Sequence, residues 1–326
     1  FDHCRYLCAW TRKSVDFATA VDQLVFRRDH YHGHGRKVVC AGISAWKRPV
    51  VRAMLTGRAG SPEFAASPAK ARHRAASQGA ALAAWGRKAT RLADTAGAPD
   101  TITIEDGFLR SVGLGAGFTT PISLVFDASG IYYDPSRPSD LETILQTTRF
   151  SEAELKRARL LRDLIVNARL TKYNLDHAPD LPELPDDRPV VLVPGQVADD
   201  ESIRLGAANL AELEPLTEGG ANLALLKAVR ARNPDSFVVY KPHPDVEAGF
   251  RAGKIDPATI AQLADAVFTG GAITDLFERV TSLETATSLA GFEAILRGLP
   301  VVTHGTPFYS GWGLSEDLAP CERRTA

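Results

Sequence analysis

Short apolar runs alternate along the chain with longer segments whose apolar residues recur at helical spacing. The runs at 37–42 and 101–105 are apolar or β-branched and predict buried strands. In a second series we predict strands at 190–194, 236–241, 265–269 and 299–304, with helices at 221–232, 257–264 and 287–297. Strands that alternate with helices form parallel sheets covered by helices. The pattern predicts an α/β protein with two Rossmann-like domains that face each other across a cleft.

The same pattern divides the chain into three parts. We predict an N-terminal domain over 1–150, which begins with a basic helical lead-in over 1–36. We predict a C-terminal domain over 190–326, and we expect its C-terminal end to be truncated because no helix follows the last aromatic segment. Residues 151–189 connect the two as a helix and a Pro-rich acidic linker. The connecting helix is expected because Ser-Glu-Ala-Glu at its start has the form of a capping box.

The local amino-acid sequence gives three predictions of secondary structure within the first domain. Residues 57–80 are rich in Ala, Gly, Ser and Pro and predict a loop. Residues 80–93 predict a helix, and residues 122–134 predict a hairpin around Ala128-Ser-Gly130.

The formal net charge of −1 conceals two halves of opposite sign. Residues 1–100 contain 17 Lys and Arg against 7 Asp and Glu, whereas residues 101–326 contain 21 against 32. This asymmetry predicts contact between the basic half and a polyanion or a membrane surface. The candidate contact residues are Arg27, Arg28, Lys47 and Arg48. A solvated basic face explains any one of them equally well.

Composition also narrows the class of protein. With 44% hydrophobic and 24% charged residues the chain is globular, and its near-neutral total excludes a protein that coats nucleic acid. No apolar run approaches the ~18 residues that a transmembrane helix needs. The four cysteines show no metal-binding spacing, so we expect free thiols, no bound metal and a cytoplasmic setting.

Two polar strings directly follow predicted strands, where ligands bind in open α/β sheets. Glu105-Asp106-Gly107 provides two carboxylates that could transfer protons or stabilise charge. An ordinary acidic turn explains the string equally well. Lys241-Pro-His243-Pro is a loop stiffened by proline, whose imidazole and ammonium suit a phosphate. A lone loop histidine between turn prolines is the structural alternative.

Three further strings could bind a substrate. After the strand at 190–194 the chain carries Gln196, Asp199, Asp200, Ser202 and Arg204, a set that also fits a solvated loop. Ser288, Gly291 and Glu293 begin a helix, whose N-terminus can bind phosphate while the glutamate meets ribose hydroxyls. The following segment contains Phe308 and Trp312, which suit stacking on a ring or simple packing.

Together these strings resemble the KpsC-type β-Kdo glycosyltransferases of bacterial capsule polysaccharide synthesis. The matching strings are EDGFLRSVGLG at 105–115, YYDP at 132–135, TKYN at 171–174, GQV with DDESIR at 195–204, YKPHPD at 240–245, SLAGFEA at 288–294 and PFYSGWGL at 307–314. The resemblance implies a GT-B-like fold, with an acceptor-side N-terminal domain and a C-terminal domain that binds CMP-sugar. It also implies a single catalytic module, more similar to the C-terminal module of larger relatives.

The resemblance implies that Kdo moves from CMP-β-Kdo, with retention, to a Kdo-terminated glycolipid built on phosphatidylglycerol, in a β-2,7 linkage. No cofactor is implied beyond the donor. Two displacements require a carboxylate nucleophile and an acid/base group, for which we assign Asp200 and Glu105 or Asp106, with exchange of these roles left open. His243 is assigned to the donor phosphate. The implied substrate-binding residues are Gln196, Ser202, Arg204, Lys241, Ser288, Gly291, Glu293 and Arg110.

The resemblance also implies partners and a location. We expect a cytoplasmic protein that is peripheral on the inner membrane, with other capsule-assembly proteins as candidate partners and no nucleic acid. Two alternatives stay open at this point. One is a glycosyltransferase that uses a CMP-sialic-acid-type donor, and the other is a non-catalytic module that binds polysaccharide.

Overall fold

Parallel sheets flanked by helices form the framework of the chain, which confirms the predicted α/β class. The computed structural model describes residues 4–9, 11–93, 100–113, 119–175 and 181–325. Its contacts divide the chain into two compact units, Phe1–Ile104 and Glu105–Ala326.

The division at residue 105 lies earlier in the chain than the predicted domain boundary at 150. The segment that follows Glu105 belongs to the second unit because it is hydrogen-bonded to residues further along the chain. For example, the backbone N–H groups of Arg110 and Ser111 both donate to the carbonyl of Lys172. The three-part organisation with a connector at 151–189 stays a prediction, and residues 176–180 of that connector lie outside the described ranges.

The N-terminal unit contains a short antiparallel pair and a parallel sheet. Four strands of that sheet are arranged in the order β4-β3-β5-β6. The strands are β1 (Tyr6–Leu7), β2 (Ser14–Val15), β3 (Val38–Ala41), β4 (Glu63–Ala65), β5 (Ala81–Trp85) and β6 (Thr101–Asp106). The helices are α1 (Phe17–Gly33), α2 (Arg48–Leu55), α3 (Pro68–Gln78) and α4 (Arg87–Ala93). The predicted lead-in helix is thus present as α1, which begins where the Asp16 carboxylate accepts from the Thr19 N–H at 2.7 Å.

The predicted single helix over 80–93 is wrong. Its first part is the buried strand β5, which pairs with β3 on one side and β6 on the other. Gly86, with a φ of 52°, then turns the chain into α4. The alanines of this segment favour a helix locally, but two flanking strands satisfy its backbone and override that preference.

The predicted loop over 57–80 is also wrong, because it contains β4 and α3. The side chain of Ser67 accepts from the backbone N–H of Lys70 at the start of α3, and Pro68 occupies the first turn. Gly79 ends the helix in the left-handed region with a φ of 61°. The capping serine and the terminating glycine are both visible in the sequence. The loop was predicted because the overall Ala, Gly, Ser and Pro content was given more weight than these two helix boundaries.

The second unit holds a six-stranded parallel sheet. Its later strands are β8 (Val190–Pro194), β9 (Phe237–Lys241), β10 (Ala266–Val267), β11 (Ser282–Thr285), β12 (Val301–Thr303) and β13 (Glu316–Asp317), preceded by the short strand β7 (Leu124–Asp127). Its helices are α5 (Asp140–Thr147), α6 (Glu152–Asn167), α7 (Glu201–Gly206), α8 (Ala208–Ala211), α9 (Ala221–Arg232), α10 (Pro244–Glu247), α11 (Pro257–Leu263), α12 (Thr274–Phe277) and α13 (Leu289–Leu296). Within the described residues, no helix combines the length and apolarity that crossing a membrane requires.

Helix α6 begins at the predicted capping box, with Ser151 and Glu154 bonded to each other's backbone. The predicted hairpin over 122–134 is wrong in its second arm. The Asp127 carboxylate accepts from the N–H groups of Ser129 and Gly130, so the chain turns there instead of forming a second strand.

The strand order of the six-stranded sheet is β10-β9-β8-β11-β12-β13. The chain thus runs outward from β8 to one edge and returns beside β8 at β11, which is the order of a dinucleotide-binding sheet. Alternate residues of β8 enter two separate hydrophobic clusters, with Val191 and Val193 in one and Val190 and Leu192 in the other. Both faces of the sheet are therefore covered, and ligands are expected outside the carboxyl ends of β8 and β11, where the winding direction reverses.

Candidate active site

The candidate site lies in the second unit, around the carboxyl ends of its central strands. Gln196 follows β8 and reaches the start of the segment after β11. Its amide nitrogen donates to the Thr287 hydroxyl at 2.9 Å, and its amide oxygen accepts from the Thr287 N–H at 3.0 Å. Gln196, which was predicted to bind substrate, is buried and joins the two loops at the point where ligands enter such sheets.

His243 follows β9, and it lies close to the β8 loop. A Cβ on Gly195 would come within 3.1 Å of the His243 backbone nitrogen, so glycine permits this approach. The imidazole Nδ1 accepts from the backbone N–H of Asp245 at 3.1 Å. Burial lowers the pKa of His243 to about 3, and the positive charges of Lys172 and Arg251 add to that effect. The ring is therefore neutral and carries its proton on Nε2, as a hydrogen-bond donor without charge.

Lys241 was predicted to act together with His243, but its ammonium is directed towards the Gly270 carbonyl. The Lys241 Nζ donates to the carbonyl of Gly270 at 2.5 Å and lies 4.6 Å from the centre of the Phe268 ring. Burial lowers the pKa of this buried lysine. The positive charge of Lys241 helps to lower the pKa of His243, but the Lys241 ammonium itself is hydrogen-bonded to a backbone carbonyl.

The acidic string at the end of β6 is held by two side chains. The hydroxyl of Tyr133 donates to a Glu105 carboxylate oxygen at 3.0 Å, and Arg110 Nε donates to Asp106 at 2.8 Å. Arg110 is 2% exposed, so its guanidinium supports the carboxylate from inside the protein. A Cβ on Gly107 would collide with Ser123, which explains the glycine in this string.

Asp200 completes the set of predicted carboxylates. It precedes α7, and its Oδ2 accepts from the Ser202 hydroxyl at 2.8 Å. The pKa of Tyr132 is raised mainly by burial, and the charges of Glu105, Asp200 and Asp106 raise it further. The charges of the three candidate carboxylates therefore act on one tyrosine, although 94 positions separate Asp106 from Asp200 in the sequence.

Arg204, also predicted to bind substrate, is paired with an acidic neighbour on its own helix. Its guanidinium lies 2.5 Å from a Glu201 carboxylate oxygen, and its side chain is 54% exposed. The pair is a surface feature of α7 and raises the pKa of Arg204.

Lys172 belongs to the site but was not singled out in the sequence, where only the string TKYN pointed to it. Burial lowers its pKa, but Tyr173, Tyr132 and Asp200 raise it to a value above the ordinary one. Its backbone N–H donates to Glu293 at 2.8 Å. Sequence reasoning did not assign this lysine a role because its segment follows no predicted strand end.

Glu293 was predicted to bind the ribose hydroxyls. Its side chain is 8% exposed, and its carboxyl group accepts the hydrogen bond from the Lys172 N–H. Burial raises the pKa of Glu293 to about 7, despite the hydrogen bond from Lys172 and the nearby Arg297 charge. The carboxyl group is thus close to half-protonated at neutral pH. It can accept or donate a hydrogen bond in a ligand contact.

The start of α13 combines a cap with close packing. Ser288 Oγ accepts from the Ala290 N–H at 3.2 Å, while the Ser288 carbonyl accepts from the Tyr309 hydroxyl at 2.6 Å. A Cβ on Gly291 would collide with that hydroxyl, so this glycine makes room for Tyr309. Whether Ser288 and Gly291 also contact substrate stays a prediction.

Phe308 is packed among aromatic rings. Its ring stacks on Phe108 at 4.8 Å and 5°, and it also contacts Tyr132 and Phe292. Trp312 Nε1 donates to the Phe308 carbonyl at 2.9 Å. These contacts favour packing over ligand stacking for Phe308. Among the residues described, no group of three or more His, Cys, Asp or Glu has the arrangement of a metal site.

Taken together, the fold and this group of acids, imidazole and ammonium define a candidate ligand site at the carboxyl ends of the strands of a dinucleotide-binding sheet. The chain belongs to the capsule polysaccharide biosynthesis protein family, whose model matches residues 80–181 and 165–326. The family resemblance inferred from the sequence is therefore confirmed.

Two curated relatives show how far the similarity extends. The chain is 37% identical over 329 residues to the capsule polysaccharide modification protein LipA of Neisseria meningitidis serogroup B, covering 99% of this chain and 45% of LipA. It is 40% identical over 247 residues to the lipopolysaccharide-processing protein LpsZ of Rhizobium meliloti, covering 74% of this chain and 54% of LpsZ. The chain thus spans about half the length of the curated relatives it matches.

Two solved structures of KpsC from Thermosulfurimonas dismutans share the fold. The β-Kdo 2,7 transferase superimposes with a TM-score of 0.69 at 31% identity, over 88% of this chain and 85% of that one. The β-Kdo 2,4 transferase gives 0.67 at 28% identity, over 90% and 88%. The fold is therefore GT-B-like, as the sequence predicted.

Proposed function

We propose that this chain is a retaining β-Kdo transferase module that moves Kdo from CMP-β-Kdo to a Kdo-terminated glycolipid, forming a β-2,7 linkage. The observation that carries the proposal is that the charges of Glu105, Asp106 and Asp200 all act on Tyr132, while the neighbouring Tyr133 hydroxyl donates to Glu105 at 3.0 Å. Similarity to two solved Kdo transferases supports the substrate class. The 2,7 linkage is supported by the sequence around Gly195-Gln196, which is more similar to the C-terminal module of larger relatives.

In the first displacement, an Asp200 oxygen attacks the anomeric carbon of the donor. The bond between that carbon and the phosphate oxygen breaks, and its electron pair leaves with CMP. The neutral His243 donates its Nε2–H to the phosphate, and the positive end of the α13 dipole favours the same anion. Their dipoles stabilise the charge that develops on the leaving group.

In the second displacement, an acceptor hydroxyl replaces Asp200 on the anomeric carbon. Glu105 takes the hydroxyl proton, the acceptor oxygen forms its bond to carbon, and the Asp200 carboxylate leaves with the electron pair. Two inversions give net retention. Glu105 is the preferred base because it accepts from the neutral Tyr133 hydroxyl, whereas Asp106 is ion-paired with the buried guanidinium of Arg110 and is therefore less basic.

Trapping the covalent Kdo–protein intermediate tests these roles. Each variant is incubated with CMP-β-Kdo without acceptor, and the intact protein and its peptides are measured by mass spectrometry. Glu105→Gln should keep the adduct on the peptide that contains Asp200, because only the second step is blocked. Asp200→Ala should lose the adduct. An adduct lost in Glu105→Gln and kept in Asp200→Ala would exchange the two roles.

Product analysis tests the reaction itself. Wild-type protein, CMP-β-Kdo and a Kdo-terminated lipid acceptor should give a product whose new linkage is read by NMR. The absence of both transfer and donor hydrolysis would instead favour a non-catalytic polysaccharide-binding module. Transfer from CMP-sialic acid, but not from CMP-β-Kdo, would keep the fold and change the substrate.

A further inference from the structure

The proposed reaction creates an electrostatic difficulty at the carbon that reacts. Kdo is a 2-keto sugar acid, so its anomeric carbon carries a carboxylate directly. A carboxylate nucleophile must approach this anionic centre, and two further carboxylates, Glu105 and Asp106, are nearby. Like charges in a partly buried site repel strongly, so a cation must lie beside the sugar carboxylate for the donor to bind.

Most of the cations around the site already have partners within the protein. These pairs are Arg110 with Asp106, Arg204 with Glu201, Arg251 with Asp199, and Lys241 with the Gly270 carbonyl. Arg110 is also almost fully buried, so it cannot contact a ligand without leaving its position. Arg110, Arg204 and Lys241, the positive residues predicted from the sequence to bind substrate, are therefore already bonded to groups of the protein.

Lys172 is different. Its ammonium lies 5.3 Å from the centre of the Tyr173 ring, and it forms no hydrogen bond or ion pair with any residue in the described ranges. It interacts electrostatically with Asp200, the proposed nucleophile, and with Asp106, the chain neighbour of the proposed base. It is thus a cation held among the catalytic carboxylates without being neutralised by direct contact with any of them.

The backbone of Lys172 is fixed from two sides. Its N–H donates to Glu293 at 2.8 Å, and its carbonyl accepts from Arg110 at 3.1 Å and Ser111 at 3.2 Å. These contacts tie the lysine to α13 and to the segment after the acidic string. The side chain is therefore presented from a rigid support, and its replacement leaves the supporting hydrogen bonds in place.

We propose that the Lys172 ammonium binds the carboxylate on the anomeric carbon of the donor, while His243 contacts the phosphate. The assignment rests on the proposed function. It gives the site a means to prefer a 2-keto sugar acid, because a sugar without that carboxylate would leave the ammonium unpaired. The phosphate has its own partners in His243 and the start of α13, and it is not needed to neutralise Lys172.

The test compares the donor with the product CMP, which has the phosphate but lacks the sugar carboxylate. Steady-state transfer gives KM for CMP-β-Kdo and the inhibition constant of CMP for wild type, Lys172→Met and Lys172→Arg. In Lys172→Met we expect KM to rise by about tenfold to 100-fold, as for a lost hydrogen bond to a charged group. The inhibition constant of CMP should change less than about twofold, because the phosphate contacts remain.

Controls separate this effect from folding and from the function itself. Lys156→Met changes an exposed lysine of α6 and should match wild type, and thermal unfolding checks that all variants are folded. Lys172→Arg should recover part of the loss because it keeps the charge. Equal weakening of CMP and CMP-β-Kdo would assign Lys172 to the phosphate and overturn the proposal, as would an unchanged KM. A wild-type protein that does not turn over CMP-β-Kdo would instead refute the proposed function.

Discussion

Replacement of Glu293 by glutamine should remove a strong pH dependence from the stability of the protein. Burial raises the pKa of this carboxyl group from an ordinary value of 4.5 to about 7. Glutamine keeps the oxygen that accepts from the Lys172 N–H, so the supporting hydrogen bond remains. The substitution therefore changes the ionisation at this position while it preserves the local geometry.

The direction of the effect follows from proton binding in the two states. Between pH 4.5 and 7 the folded protein holds a proton on Glu293 that the unfolded chain has released. The free energy of unfolding therefore falls as pH rises through this window, and the loss is complete above the folded-state pKa. Since each pKa unit corresponds to about 1.4 kcal/mol, ionised Glu293 costs the folded state about 3 kcal/mol at pH 8.

Urea unfolding of wild type and Glu293→Gln, followed by tryptophan fluorescence at pH 4.5 and pH 8, measures this difference. The variant should gain about 3 kcal/mol relative to wild type between the two pH values. Glu154→Gln is the matched control: hydrogen bonds from Ser151 lower the pKa of Glu154, so its pH-dependent stability change lies mainly below pH 4.5 and should be small between pH 4.5 and pH 8. If Glu293→Gln and wild type differ by the same amount at both pH values, the carboxyl group is not held in its neutral form by burial, and the reasoning fails.

Two further predictions concern packing and the charge of the imidazole. Gly291→Ala should lower the free energy of unfolding by about 1–3 kcal/mol, because its methyl group overpacks against Tyr309. Thermal unfolding checks this against Gly33→Ala, where a Cβ meets nothing within 4 Å, and equal melting temperatures would contradict the packing argument. His243 should stay neutral with its proton on Nε2 from pH 5 to 8 in the free protein, because burial holds its pKa at about 3. Nitrogen-15 NMR of the imidazole measures this directly, and a titration near pH 6.5 would show that the ring is hydrated and accessible to protons.

Local patterns were sufficient where neighbouring residues alone decide the structure. The apolar runs at β8 and β9 were predicted as strands because both faces of a covered sheet demand apolar side chains. The start of α6 was predicted because a capping box satisfies backbone N–H groups within a few residues. The strand β5 was missed because its alanines favour a helix, and only the strands on its two sides determine otherwise.

For the candidate site, too, the sequence located some residues but not the groups that they contact. Polar strings after strands located Glu105, Asp200 and His243, because the ends of parallel strands are where ligands bind. The partners of these residues could not be read from the strings. Gln196 and Lys241 lie in the expected loops, but their head groups bond to Thr287 and Gly270, residues from distant parts of the chain.

The α/β class, the family and the strand ends that carry the candidate acids and imidazole could be inferred from the amino-acid sequence, because they depend on periodicity and on strings of adjacent residues. Which charges the protein neutralises became visible in the three-dimensional fold. Arg110, Arg204 and Lys241 have partners, whereas Lys172 lies among the candidate carboxylates with no hydrogen bond or ion pair to a residue in the described ranges. The physical reason is that burial and pairing between charges depend on distance in space, which separation along the chain does not specify.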